Sequence, residues 1–184
     1  MAHFAEIRSD NNKVIRVIVV SDADCAANGG EDSTECETWV ANNHEDDLDL
    51  LYNEFDGTYP DTYWKRTSYN TIANTHTNGG TPFRKNYAQV GGTYDPTNDY
   101  FVALKPNDNF VLNTTTGQYD PPFTPPTDAE RLYDADNTKY YSTVWDNTRV
   151  KFLGVRENGD VYIFDEVART YTITDPLETI NGGA

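Results

Sequence analysis

After Gly57, turn-forming residues recur so often that long helices have no room. Tyr94-Asp95-Pro96-Thr97-Asn98-Asp99-Tyr100-Phe101 reads as strand, turn, strand. Leu112-Asn113-Thr114-Thr115-Thr116-Gly117-Gln118-Tyr119 reads the same way, and so does the segment from Tyr133 to Tyr141. In each, Asx, Thr, Gly or Pro residues sit between aromatic or apolar flanks. An Asp or Asn side chain can bond the backbone ahead of it and close the turn. Further on, Val150 to Arg156 and Val161 to Phe164 flank Glu157-Asn158-Gly159-Asp160. Asn-Gly suits a type I′ turn, whose two central residues need positive φ. Thr170 to Thr174 is expected to continue this meander.

The beginning of the chain adds a hairpin. Phe4 to Ile7 and the β-branched run Val14 to Val20 flank a turn at Asp10-Asn11-Asn12. The second run is nearly all apolar, which predicts a central strand covered on both faces. Residues 21–38 read as a polar, Gly-containing loop. Trp39, Val40, Leu48, Leu51, Tyr52 and Phe55 then show helical spacings, with Gly57 placed to stop the helix. Strands are expected over Thr62 to Tyr69 and Arg84 to Val90. Four prolines within Asp120 to Asp128 exclude a helix or a central strand there. The expected fold is mainly β, built of hairpins and meander as a small sandwich or barrel, with one short helix near residues 37–55. Residues 1–120 form the main body, 121–128 a Pro-rich linker and 129–184 a C-terminal β-meander module.

Composition narrows the partners. The chain has 184 residues, 14 basic against 30 acidic, for a net charge of −16. Such a surface repels a phosphate backbone and an anionic membrane, so neither nucleic acid nor membrane is expected as a partner. From Asp22 to Asp56 there are twelve Asp and Glu and no Lys or Arg. That run reads as a solvated face; a steering patch for a basic partner and a weak Ca²⁺ site are the alternatives. Met1 to Glu6 has neither a basic n-region nor an apolar h-region, which predicts synthesis in a cytoplasm without a secretory signal. Cys25 and Cys36 can form one disulfide in an oxidising medium or stay as two thiols, the latter slightly favoured.

Catalytic patterns are missing. His3, His44 and His76 lie in separate contexts with no metal-ligand spacing. There is no G-x-S-x-G elbow and no phosphate loop. Acidic neighbours make Cys25 and Cys36 poor nucleophiles. Asp134 to Thr138 has a calcium-loop flavour but lacks the sixth-position Gly and the closing Glu, so a hairpin turn is the better reading. Glu6, Asp165 and Glu166 adjoin apolar strands, as strand-edge acids often do. The chain is therefore expected not to be an enzyme and to need no cofactor or metal.

Seven segments stand in an order that resembles a known family: Met1 to Ile7, Val14 to Val20, Trp64 with Thr67 to Thr71, Arg84 to Ala88, Gly92 to Asp95, Lys105-Pro106, and Phe110 to Asn113. Together they resemble small proteins encoded by tailed bacteriophages of marine bacteria, particularly cyanophages. The resemblance covers residues 1 to about 120 and implies a virion component, assembled in the host cytoplasm. The acidic two-cysteine loop and the segment after residue 128 depart from it. The leading expectation is a capsid decoration or cement protein, present in many copies or as a homo-oligomer, binding the major capsid protein or another virion protein. A tail, neck, baseplate or fibre adaptor is the alternative, and a glycan-binding receptor module is a third. Arg66, Arg84 and Lys85 are the candidate docking residues. Trp64 and Trp145 are the candidate glycan platforms.

Overall fold

The computed structural model describes residues 1–44, 61–133, 141–155 and 160–173. The expected type I′ turn at 157–160, the hairpin turn at 134–138 and the helical stretch from 45 onward fall mostly or wholly outside them. The chain divides into two compact units, Met1–Pro106 with Leu112–Tyr119, and Asn107–Val111 with Asp120–Ala184. The mainly-β class holds: the sheets are several, small and antiparallel.

In the first unit β1 (Ala2–Arg8) pairs with β2 (Val14–Val20) on one side and β3 (Thr62–Thr67) on the other. The central strand is therefore β1, and β2 stands at the end of the order, contrary to the expectation from its apolar run. The reason lies at Glu6, which is fully buried in β1. Its carboxylate is neutralised by Arg16 Nε at 2.5 Å and accepts a hydrogen bond from the Thr62 hydroxyl at 3.0 Å. Paired in this way, a polar-looking strand can occupy the middle of a sheet. Alternate residues feed two cores. Ala2 and Phe4 join Val20, Trp64, Cys25, Cys36 and Val40 on one face. Ala5 and Ile7 join Val14, Ala88, Tyr94 and Phe101 on the other. A register shift between Glu6 and Ile7 lets Val14 reach the same face as Val17.

Two helices follow β2 among the described residues, where one was expected. The first, α1 (Asp22–Ala27), occupies part of the segment read as a loop; Ser21 Oγ caps it by accepting from Asp24 N. The second, α2 (Thr34–Asn43), is capped in the same way by Ser33, and His44 ends it with extended backbone. The helix thus starts earlier than residue 37 and does not run unbroken to 55. Two-residue strands β4 (Thr71–Ile72) and β5 (Thr75–His76) pair next. The expected strand over 84–90 is irregular, because Arg84 and Lys85 both take left-handed backbone, φ 49° and 57°.

One hairpin design then repeats. It joins β6 (Thr93–Asp95) to β7 (Tyr100–Val102), and β8 (Val111–Asn113) to β9 (Gln118–Asp120). After a one-turn 3₁₀ helix (Asp128–Glu130) it recurs in a four-stranded meander, β10 (Ser142–Asp146), β11 (Lys151–Val155), β12 (Val161–Asp165) and β13 (Thr170–Ile173). In all four turns an Asx side chain accepts the N–H groups two and three residues on. Asp95 takes Thr97 and Asn98, Asn113 takes Thr115 and Thr116, Asp146 takes Thr148 and Arg149, and Asp165 takes Val167 and Ala168. The fourth residue on is left-handed each time: Asp99, Gly117, Val150 and Arg169, φ between 54° and 68°. In three of the hairpins the residues flanking the turn are cross-strand aromatic partners: Tyr94 with Phe101, Trp145 with Phe152, and Phe164 with Tyr171. Their ring centroids lie 5.1, 4.9 and 5.0 Å apart.

The proline-rich stretch belongs to the second unit and is tied down within it. Arg169 donates to the carbonyls of Thr124 and Pro125 and grips both oxygens of Glu130, at 2.7 and 2.5 Å. The Thr127 N–H and hydroxyl donate to Glu130 as well. The Arg169 fork, aided by these two donors, holds the Glu130 carboxyl down at about 2.

Candidate interaction surface

A groove of about 640 Å³ lies in the first unit. It is lined by Val17, Tyr69, Thr71, Ile72, Thr77, Asn86, Tyr87, Ala88, Gln89, Val90, Ala103 and Gln118, none of them charged. In a chain in which 24% of residues are Asp, Glu, Lys or Arg, an uncharged lining of this length is a distinct local composition. Tyr69, Ile72 and Val90 on its rim are each more than half exposed. Scattered exposed apolar residues need no explanation, but three around one depression form a patch.

The groove runs along the 84–90 segment, which isolated backbone bonds and side chains hold in place of a strand ladder. Asn86 is buried and makes four contacts. Its Oδ1 accepts from Ala73 N at 2.8 Å and from Gln118 Nε2, and its Nδ2 donates to the carbonyls of Phe101 and Thr116. Thr67 Oγ1 accepts from Ala88 N at 2.7 Å, and Thr71 Oγ1 from Phe83 N at 3.0 Å. The Thr71 carbonyl accepts from Tyr87 N. The His3 ring meets Tyr69 and Tyr87 edge-on at 5.2 and 5.7 Å. Burial, with the N-terminal charge and Arg66 nearby, pushes the His3 pKa below its usual value.

The three candidate docking residues all have partners within the chain. Arg66 is held by Glu31 and Asp32, both at 2.6 Å, with its guanidinium 4.3 Å from the centre of the Phe83 ring. Arg84 meets Glu37 at 2.8 Å and Asp99 at 2.7 Å, and stands 5.0 Å from the same ring. Lys85 donates to the Thr114 carbonyl and lies 3.7 Å over Tyr100. With Arg66 and Arg84 only 13% and 12% exposed, these charges fasten α2 and the 84–90 segment to the sheet. Glu37 is the hub. Burial alone would raise its pKa, but hydrogen bonds from Lys65, Arg84 and the Arg66 N–H bring it below the usual range.

The tryptophans divide. Trp64 is buried in the helix-side core with Arg16 over its ring at 5.2 Å, which removes it as a glycan platform. Trp145 is half-buried between Phe110 and Phe152, its indole N–H donating to Asn147 at 3.3 Å. Cys25 and Cys36 are both free thiols and buried. Burial, then a side-chain hydrogen bond with Cys25, pushes the Cys36 thiol up to about 12. The strand-side acids all serve the fold: Glu6 in its pair, Asp165 in its turn, and Glu166 with Lys151 at 2.7 Å. His44 ends α2, and His76 Nδ1 accepts from Asn78 N and Gly80 N. Among the described residues no three His, Cys, Asp or Glu gather as a metal site.

Asn86, Glu37 and Phe83 do not stand out in the sequence. Asn86 offers one signal, an amide inside a Tyr- and Ala-containing run. Comparison with protein-family models, with curated proteins and with solved structures finds no match.

Proposed function

We propose that this chain is a structural protein of a phage particle that binds another virion protein, most simply as a decoration protein on the capsid exterior. The observation that carries the binding reading is the uncharged, apolar-rimmed groove in a chain of net charge −16. Its occupant is an extended, uncharged segment of a different protein. A second copy is the poorer partner, since two like-charged bodies repel. Asn86, Gln89 and Gln118 along the groove supply amide groups for an extended backbone, and Tyr69, Ile72 and Val90 supply apolar contact. The phage setting rests on the resemblance of residues 1 to about 120, and binding in place of catalysis on the structural employment of the acids.

The test is copy number. Quantitative mass spectrometry of purified particles should give this chain at a ratio on the order of the major capsid protein. A dozen copies or fewer would move it to the tail or neck, and none would sink the virion reading. Ile72→Asp combined with Val90→Asp should leave the circular dichroism spectrum unchanged and remove the chain from particles. Normal incorporation of that variant would reject the groove as the contact.

A further inference from the structure

The two thiols are a separate feature, remote in purpose from the groove. Cys25 lies on α1 and Cys36 on α2, and both belong to the core cluster of Ala2, Phe4, Val20, Val40 and Trp64. A single buried Cys behaves as a small apolar side chain. Here two of them lie in one otherwise apolar cluster, near enough for Cys25 to act on the Cys36 thiol. The connection between their helices is fixed as well. The Cys25 carbonyl accepts from Asn28 N and from Gly30 N at 3.1 and 2.8 Å, and Ser33 Oγ donates to the Asn28 and Gly30 carbonyls. Gly29 and Gly30 both take positive φ, 90° and 94°, in this reversal. The reversal thus fixes how the two helices follow one another, with a cysteine of each in the same core cluster.

We propose that Cys25 and Cys36 are an oxidative modification site, a reduced pair that converts to an intramolecular disulfide by exchange with a low-molecular-weight disulfide. One Cys thiolate attacks the small disulfide, forming a mixed disulfide and releasing one small thiol. The second Cys thiolate attacks the protein sulfur of that mixed disulfide, closing the Cys25–Cys36 bond and releasing the second small thiol. The two protein protons end on those thiols, so the protein loses two electrons and the small disulfide gains them. Cys25 is the entry point, because its helix has six residues and Cys36 is wholly covered. Reaction is slow in the folded state, since attack needs an exposed thiolate. The product ties α1 to α2 across the short Gly29-Gly30 reversal.

The test uses the whole chain at pH 8 with excess oxidised glutathione, with and without sub-denaturing urea, followed by alkylation in full denaturant and mass spectrometry. The expected product has lost two hydrogens, takes no alkyl group and yields a peptide cross-link between Cys25 and Cys36. It forms faster in urea, and its Tm lies several degrees above that of the reduced chain, a gap that dithiothreitol abolishes. Cys36→Ser should instead stop at one glutathione adduct on Cys25. If that variant fails to fold, the wild-type comparison decides alone. Two glutathione adducts on the wild type, or two free thiols in both arms, would overturn the proposal.

Discussion

The β8–β9 turn and the β10–β11 turn share a backbone and differ in the residue at its most demanding position. At the left-handed position the first has Gly117, φ 68°, and the second Val150, φ 54°. A β-branched residue there is an outlier. What the two turns have in common is the Asx residue four positions earlier, Asn113 or Asp146, taking two backbone N–H groups. Glycine is therefore not what specifies this turn. Gly117 answers a different demand: a Cβ there would stand 2.5 Å from Asn86 Nδ2 and 2.9 Å from the Phe101 carbonyl. One turn uses glycine for packing, while the other bears strain that its aspartate holds in place.

The largest effect should come from Gly117→Ala. The added carbon invades the Asn86 hub and takes unfavourable φ, for a loss of about 3 kcal/mol in urea unfolding. A loss below about 1 kcal/mol would mean that glycine serves only the turn. Next is Asp146→Ala, expected to cost about 2 kcal/mol at pH 7 by orphaning the Thr148 and Arg149 N–H groups. Burial opposes charging Asp146, but the Arg149 N–H and guanidinium and the Thr148 N–H outweigh it and depress its pKa below 3.8. Its charged form thus stabilises the fold above the unfolded value. That contribution is lost as pH falls through the depressed folded value. The gap between wild type and Asp146→Asn in thermal unfolding should accordingly narrow below about pH 4. A pH-independent gap would assign the effect to shape alone. The smallest effect has the opposite sign. Val150→Asn should gain about 0.5–1 kcal/mol, because Asn tolerates left-handed backbone. A loss in calorimetry would show that the half-buried valine packs for more than its strain costs.

These hairpins explain which parts of the fold were legible. Tyr94 to Phe101 and Leu112 to Tyr119 could be read because everything that makes the turn lies within eight residues. The β10–β11 and β12–β13 turns obey the same rule, yet Val150 and Arg169 at the left-handed position carry no turn signature; Asn147 and Thr148 mark the first beside Asp146, and Asp165 alone marks the second. The centrality of β1 depends on Arg16 and Thr62 meeting Glu6, and the 84–90 segment on Asn86, Thr67 and Thr71. Such pairings span tens of residues and leave no local pattern. Helix α1 did leave one, Ser21 with Asp24 three residues on, but six residues are too few to show a period. The groove could not be foreseen, since it runs along a segment that fails to become a strand.

Basic side chains of the first unit are turned to internal use: Arg16, Lys65, Arg66 and Arg84 each face an acid of the same chain. Copies brought together would therefore meet as bodies of like net charge, −16 each. Their mutual repulsion reaches about 8 Å at 0.15 M salt and about 3 Å at 1 M. Packing density on any shared support is then set by the medium: dilute buffer spaces the copies apart, and brine lets them crowd.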